Sequence, residues 1–193
     1  MSSSPELPAP ARVHKAGCWQ KKYNLFYIST GSMLRAEVKS STDIGKKVKP
    51  FLERRTRTRR IVIQLIEREI KKHPNVNGFV FKGFPRTIIQ VYILDGLLRK
   101  LNSSVSVCMD LKIPTLESIK RLSARGKTEK GRSYDKNTDL IVRRLEEFEK
   151  STVPVIEYYR KIDKTMTIDA NGPRDDVFHR LSESADKAFK HIR

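Results

Sequence analysis

The stretch Gly78–Thr87, which reads GFVFKGFPRT, decides the fold class of this chain. Its apolar start has the composition of a short buried β-strand, and the Gly-Phe-Pro turn after it lets a ligand approach the backbone. Arg86 then follows directly. Because ligands of parallel sheets bind beyond the carboxyl ends of the strands, this arginine stands where a phosphate group would be gripped.

Short apolar runs alternate with amphipathic stretches along the rest of the chain. Strands are predicted at Leu25–Ile28, Gly78–Phe81, Val105–Leu111 and Thr165–Asp169. Helices are predicted at Gly31–Lys39, Ile61–Lys72, Thr87–Leu101, Thr115–Arg125, Asp139–Arg160 and Asp175–His191. Strands separated by helices form parallel sheets covered on both faces, so the sequence predicts a single α/β domain.

The composition excludes several classes of protein. With 193 residues, of which 38% are hydrophobic, the chain is too apolar to be disordered. Two cysteines cannot form a disulfide framework, and the apolar neighbours of Cys108 predict a buried thiol. No apolar run approaches the roughly 20 residues that span a bilayer, and the start lacks the apolar stretch of a signal peptide. We therefore expect a cytoplasmic protein without membrane contact.

The net charge of +18 would ordinarily indicate a polyphosphate, nucleic acid or another anionic surface as partner. Much of this charge lies in Arg54–Arg60, RRTRTRR, which holds five arginines. The segment is either a solvated loop or a nucleic-acid patch. It contains no aromatic residue for stacking on single strands, which makes nucleic acid the less favoured partner. Residues 1–20 are rich in Ser, Pro and Ala and show no periodicity.

Further arginines stand at positions suited to nucleotide phosphates. In Tyr27–Glu37, YISTGSMLRAE, a strand ends in a small polar turn and a helix begins, with Arg35 four residues after Gly31. Free backbone N–H groups at a helix start favour an anion. Downstream, Arg125, Arg132 and Arg144 surround the glycine-containing loop RGKTEKGRSYD. One such arginine is typical of any surface, but five beside strand ends and glycine loops indicate phosphate binding.

These motifs resemble the adenylate kinase family of nucleoside monophosphate kinases, of the kind with a short lid. The matching stretches are ISTG-x-x-LRAE, GFPRT-x-x-Q, RG-x(4)-GR, RRLEEFEKSTVPVIEYY and IDANG, and the likeness runs from Tyr23 to the C-terminus. It implies a three-layer nucleotide-kinase fold with a monophosphate-binding region at about 30–61 and a lid at about 125–136. It also implies phosphoryl transfer from ATP, with Mg²⁺, to AMP, giving two ADP, by a monomer.

The resemblance assigns roles to individual residues. The AMP pocket would comprise two sets, Thr30, Gly31 and Arg35, and Gly83, Arg86 and Gln90. ATP would be clamped by Arg125 from the lid and contacted by Gly172. The catalytic positive charge would come from four arginines that neutralise the transferring phosphoryl group, namely Arg86, Arg125, Arg132 and Arg144.

The chain also departs from the family pattern. Ser32 stands where Asp is usual, Lys82 where an Asp commonly organises the water shell of magnesium, and Tyr134 where a lid Asp is common. The phosphate-binding loop G-x-x-x-x-G-K-G-T and the central strand before it are missing from residues 1–22. The Gly-x-Leu-Val-Pro-Asp segment that frames the adenine of AMP is also missing, and RRTRTRR occupies its place.

Both missing segments reappear in a shifted reading frame. Glu6 to Lys15 can be written GAG CTC CCG GCG CCG GCA AGG GTA CAC AAA, and Pro5 can end in G. Read from that G, the codons encode Gly-Ala-Pro-Gly-Ala-Gly-Lys-Gly-Thr-Gln, which is a complete phosphate-binding loop. Arg54 to Ile61, written CGG CGA ACT CGT ACC CGA CGA ATT, gives Gly-Glu-Leu-Val-Pro-Asp-Glu from its second base.

The hypothesis that follows is that residues up to 22 and residues 54–60 are out-of-frame translations of an adenylate kinase gene. The present chain would then be impaired, because its ATP phosphates have no loop to hold them. A non-catalytic AMP-binding remnant and a basic nucleic-acid binder stay open as alternatives. The monophosphate is also open, since UMP/CMP kinases share much of this framework.

Overall fold

A computed structural model of the chain describes residues 22–54, 59–128, 131, 135 and 137–190. The chain forms two compact units, Met1–Phe84 and Pro85–Arg193. The boundary falls inside the GFPRT motif, between Phe84 and Pro85.

The first unit contains a two-stranded parallel sheet in its described part. Strand β1 (Leu25–Ser29) pairs with β2 (Gly78–Lys82), with Leu25 opposite Gly78 and Ser29 opposite Lys82. Three helices lie between these strands in the chain: α1 (Thr30–Lys39), α2 (Asp43–Arg54) and α3 (Arg59–Lys72). Helix α1 contacts β1, α2 and α3. The apolar core of this unit includes Leu25, Ile28, Leu34, Val48, Val62, Leu65, Ile66, Ile70 and Phe84.

The second unit contains another parallel pair, β3 (Cys108–Lys112) and β4 (Thr165–Asp169). Its helices are α4 (Ile88–Arg99), α5 (Thr115–Gly126), α6 (Thr138–Ser151), α7 (Val153–Lys161) and α8 (Arg174–Lys190). Helix α7 packs against both strands and against α4, and α8 packs against β4. The core includes Val91, Leu94, Leu98, Ile141, Val155, Tyr159, Ile168, Ala170 and Ala185.

The predicted α/β class, with parallel strands separated by helices, is confirmed, and three details of the prediction are wrong. The predicted helix Asp139–Arg160 is two helices, since Pro154 lacks a backbone N–H and therefore starts a new helix after Thr152. Helix α2 was not predicted at all. The third strand begins at Cys108 rather than Val105.

Each sheet has two strands in the part of the chain that the structure describes, so each strand pairs along one edge. Strand β2 carries Phe79, Val80 and Phe81, which point to alternate faces and are all half-buried. An apolar run of this kind is typical of a parallel strand covered on both faces and paired on both sides. Two-stranded sheets are only marginally stable by themselves.

None of the described helices is both long and apolar enough to cross a membrane.

Candidate active site

Thr30 ties the ends of the two strands of the first unit together. It is the first residue of α1, and its buried Oγ1 donates a hydrogen bond to the carbonyl oxygen of Gly83, 3.2 Å away. The Lys82 carbonyl oxygen lies 3.4 Å from the same hydroxyl. Gly83 has a φ of 79°, a left-handed conformation that glycine adopts without steric cost. The structure therefore brings together two of the predicted AMP-binding positions.

The Arg35 side chain lies over the first turn of α1. A Cβ atom added to Gly31 would lie 3.3 Å from the Arg35 Nη1, so the guanidinium covers this glycine. The Arg35 Nη2 donates to the Ser32 Oγ at 3.3 Å, and the Ser32 and Ser29 hydroxyls are 3.0 Å apart. A guanidinium, two hydroxyls and the free N–H groups of a helix start thus share one small region, an arrangement suited to a phosphate.

The identity of residue 32 alters the charge of this region. With Ser32 in the place of the family's usual aspartate, the Arg35 guanidinium donates its hydrogen bond to a neutral hydroxyl. A carboxylate there would compete with a phosphate for the guanidinium. The first turn of α1 itself carries no acidic residue.

Arg86 and Gln90 meet at the start of α4 in the second unit. The Arg86 backbone N–H donates to the Gln90 Oε1 at 2.7 Å, and the Gln90 backbone N–H donates to the Thr87 Oγ1 at 3.4 Å. The Gln90 and Thr87 side chains thus each accept a hydrogen bond from a backbone N–H at the opposite end of the turn, in the manner of a capping box. The Thr152 hydroxyl donates to the Arg86 carbonyl oxygen at 3.4 Å. This arrangement fixes the backbone that carries the exposed Arg86 side chain.

Arg125, the predicted lid arginine, forms a two-pronged ion pair with Asp135. Its Nε and Nη2 donate to the two carboxylate oxygens at 2.7 Å each, and the Asp135 side chain is fully buried. A Cβ atom on Gly126 would overlap the Asp135 carbonyl oxygen, so only glycine lets the loop approach the helix end this closely. Sequence reasoning missed Asp135, although an acidic residue in an arginine-rich loop was the available signal. Arg132 lies outside the described residues.

Arg144 is half-buried on α6, one turn after the fully buried Ile141. Residues three apart share a helix face, so Arg144 lies on the inward side of α6. Its catalytic role stays a prediction.

Gly172 lies in the turn after β4, with a φ of 94°. Two arginines that sequence reasoning missed hold this turn. Arg121 donates through Nη1 to the Ala170 carbonyl oxygen at 3.2 Å and through Nη2 to the Gly172 carbonyl oxygen at 2.9 Å. Arg180 of α8 donates to the carbonyl oxygen of Asn171. The turn therefore has a fixed shape, and its predicted contact with ATP stays a prediction.

The residues that the structure describes do not provide a resident metal site. Nowhere in that part of the chain do three or more His, Cys, Asp or Glu side chains converge. Lys82, at the end of β2, is a cation and cannot replace the carboxylate that commonly stands there.

Comparisons with known proteins agree with these motifs. The adenylate kinase family model matches residues 7–164. The chain is 33% identical over 180 residues to an adenylate kinase of Flavobacterium johnsoniae, covering 93% of this chain and 94% of that protein. It is 36% identical over 175 residues to an adenylate kinase of Azobacteroides pseudotrichonymphae, covering 88% of each.

A third relative, an adenylate kinase of Bacteroides thetaiotaomicron, is 34% identical over 168 residues, which cover 86% of this chain and 88% of that protein. The three matches cover at least 88% of the length of each relative. On this basis, the chain belongs to the adenylate kinase family.

Proposed function

We propose that the activity of this chain, in its frame-restored form, is transfer of the terminal phosphoryl group of MgATP to AMP, giving two ADP. In this reaction the bond from the γ-phosphorus to the β,γ-bridging oxygen breaks, and a bond forms to a phosphate oxygen of AMP. Phosphoryl transfer needs positioning and positive charge more than covalent chemistry. The single observation that carries the proposal is the grouping of Arg35, Gly31 and Thr30 at the start of α1, beside Gly83.

The first unit would hold the phosphate of the acceptor. Its helix start offers backbone N–H groups, and Arg35 offers a guanidinium already directed at that turn by Ser32. For Arg86 and Gln90 we propose the AMP contacts that the family resemblance implies. Restricting an acceptor in this way replaces a bimolecular encounter with an oriented one, which lowers the entropic part of the barrier.

Arg125, Arg132 and Arg144 would supply the positive charge around the transferring group. Arg125 is held by Asp135 in a fixed orientation, so its planar fork is preorganised before ATP arrives. Closure of the lid region, about 125–136, over the substrates would exclude water and prevent hydrolysis of ATP. Gly172 would contact ATP from the turn that Arg121 holds.

We also propose that residues up to 22 and residues 54–60 are out-of-frame translations, arising by mutation or by an error in determining the sequence. The half-buried Phe-Val-Phe run of β2 supports this proposal, because an apolar run of this kind is typical of a parallel strand that is paired on both sides. Re-reading both segments would remove about half of the net charge, which weakens the case for a nucleic-acid partner. The nucleotide sequence tests the proposal, and codons that cannot be re-read in this way would refute it.

The acceptor can be identified with the frame-restored chain, in which the phosphate-binding loop and the Gly-Glu-Leu-Val-Pro-Asp-Glu segment replace the out-of-frame residues. We propose AMP as acceptor, the cytoplasm as location and a monomer as the active form. Initial rates with AMP, UMP and CMP at equal concentration should be highest with AMP. A preference for UMP or CMP would reassign the substrate within the same reaction class.

A second candidate function is an AMP-binding remnant without turnover. The arrangement of Thr30, Arg35 and Gly83 in the present chain supports it, because these residues would bind the phosphate of AMP, whereas the sequence lacks the ATP loop. Equilibrium titrations of the present chain with AMP and with ATP distinguish the two. Binding of AMP alone supports the remnant, and binding of neither nucleotide argues against it.

A further inference from the structure

A buried carboxylate joins the three helices of the first unit. Glu37 of α1 is 8% exposed. Its Oε2 accepts a hydrogen bond of 2.5 Å from the Thr42 hydroxyl, and its Oε1 accepts one from the Arg68 guanidinium of α3. Burying a carboxylate is costly unless it is paired and hydrogen-bonded, and both oxygens of Glu37 have such partners.

Thr42 connects this carboxylate to α2. Its hydroxyl accepts a hydrogen bond of 2.9 Å from the Gly45 backbone N–H, which places Thr42 as the N-cap of α2. A Cβ atom on Gly45 would overlap the Glu37 carbonyl oxygen, so the backbones of α1 and α2 are in direct contact here. Glu37, Thr42 and Arg68 therefore form one connection among three helices, which we call the Glu37 clasp.

The clasp holds α1 at the end opposite to its contact with Gly83. Thr30 fixes the start of the helix through its hydrogen bond to Gly83, and Glu37 fixes the helix seven positions later. Arg35 lies between the two attachments. At a rise of about 1.5 Å per residue, Arg35 stands roughly 7.5 Å from Thr30, so a tilt of about 8° would move it by about 1 Å. Displacements of this size at a positioning group can reduce a rate by about a hundredfold.

We propose that Glu37 is a positioning residue for the acceptor phosphate, acting through Arg35. The inference rests on the proposed function, in which Arg35 grips AMP. Nothing in the family resemblance gives Glu37 this role. It follows from the two attachments of α1 and from the burial of the carboxylate between α2 and α3.

The test compares full-length frame-restored chains carrying Glu37→Gln, Thr42→Val or Thr42→Ser. Glu67→Gln is the matched control, because Glu67 lies in the same unit and pairs with Lys71 on the exposed face of α3. We expect Glu37→Gln and Thr42→Val to raise the KM for AMP at least about tenfold, with the KM for ATP changed less than about twofold. Thr42→Ser, which keeps the hydroxyl, should retain the parental KM for AMP.

A merely structural role for Glu37 predicts a different result. Equal increases in both KM values, or a KM for AMP within about twofold of the parent, would overturn the inference. Hydrogen exchange of backbone amides 34–45 in the same proteins gives a readout that needs no turnover. Glu37→Gln should accelerate this exchange and Glu67→Gln should not.

The two proposals fail in different ways. If the frame-restored parent transfers no phosphoryl group, the proposed function is wrong, and the AMP role of Glu37 falls with it. If the parent is active but Glu37→Gln leaves the KM for AMP unchanged, only the positioning role is wrong. Unchanged exchange in Glu37→Gln would refute the clasp itself.

Discussion

The Arg125 guanidinium and the Asp135 carboxylate form two parallel hydrogen bonds, each 2.7 Å long. The Asp135 side chain is fully buried, while that of Arg125 is 19% exposed. A bidentate pair of this kind fixes the plane of the guanidinium as well as its position. Arg125 is therefore oriented by a residue ten positions further along the chain.

Loss of this ion pair should destabilise the second unit. Asp135→Asn keeps the size of the side chain but leaves the guanidinium without its charged partner, so we expect a loss of about 3 kcal/mol in the free energy of unfolding. Urea denaturation measures this change. Glu157→Gln is the control, because Glu157 pairs with Arg160 at the surface and its loss should cost less than about 1 kcal/mol. Equal losses of unfolding free energy in the two variants would contradict a larger contribution of the Arg125–Asp135 pair to stability.

Two glycine-to-alanine substitutions should change the stability of the chain in opposite directions. Gly45→Ala places a Cβ atom onto the Glu37 carbonyl oxygen, so the backbones must separate and we expect a loss of about 2 kcal/mol or more. Gly96→Ala adds a Cβ atom inside α4 with nothing within 4 Å, and should stabilise the chain by about 0.5–1 kcal/mol. Thermal unfolding followed by circular dichroism measures both. A neutral Gly45→Ala would contradict the close contact between α1 and α2.

The Glu37 clasp should weaken in acid. Hydrogen bonds from Thr42 and then from Arg68 hold the pKa of Glu37 below its ordinary value of 4.5. A carboxyl group with a lowered folded-state pKa stabilises the fold at pH values above 4.5, and this contribution disappears as the pH falls through the folded-state pKa. The stability difference between the parent and Glu37→Gln, measured by urea unfolding, should therefore be largest near neutral pH. A difference that grows in acid would contradict the pairing.

Removal of the Tyr159 hydroxyl should stabilise the chain or leave it unchanged. This hydroxyl is buried and has no hydrogen-bond partner among the described residues, and burial raises the pKa of the phenol. An unsatisfied buried polar group costs about 1–3 kcal/mol, and Tyr159→Phe removes that cost while it preserves the packing of the ring. Tyr158→Phe serves as the comparison, since the Tyr158 hydroxyl has Asp95 3.5 Å away. Clear destabilisation by Tyr159→Phe would reveal a bound partner such as water.

Features set by neighbouring residues were predictable from the sequence. The strand Gly78–Lys82 and the start of α4 at Ile88 depend on residues a few positions apart, and the sequence predicts each of these boundaries to within one residue. Helix α2 was missed because Gly45 and Pro50 oppose helix formation locally, whereas contact with α1 stabilises it.

Partners that are distant in sequence could not be predicted. Arg68 reaches Glu37 across 31 positions, and Arg121 reaches Gly172 across 51. Such pairs depend on how the helices pack, and no local sequence pattern predicts them. Asp135 differs from these residues, because it lies ten positions from Arg125 and its acidic side chain in an arginine-rich loop was a local signal.

We propose that this member of the adenylate kinase family has lost its ATP-binding loop through a change of reading frame. The most direct measurement is the formation of ADP from MgATP and AMP by the present chain and by the frame-restored chain, side by side at equal concentration. The account predicts no measurable transfer by the present chain and clear transfer by the frame-restored chain. Transfer by the present chain at the rate of its restored counterpart would contradict it.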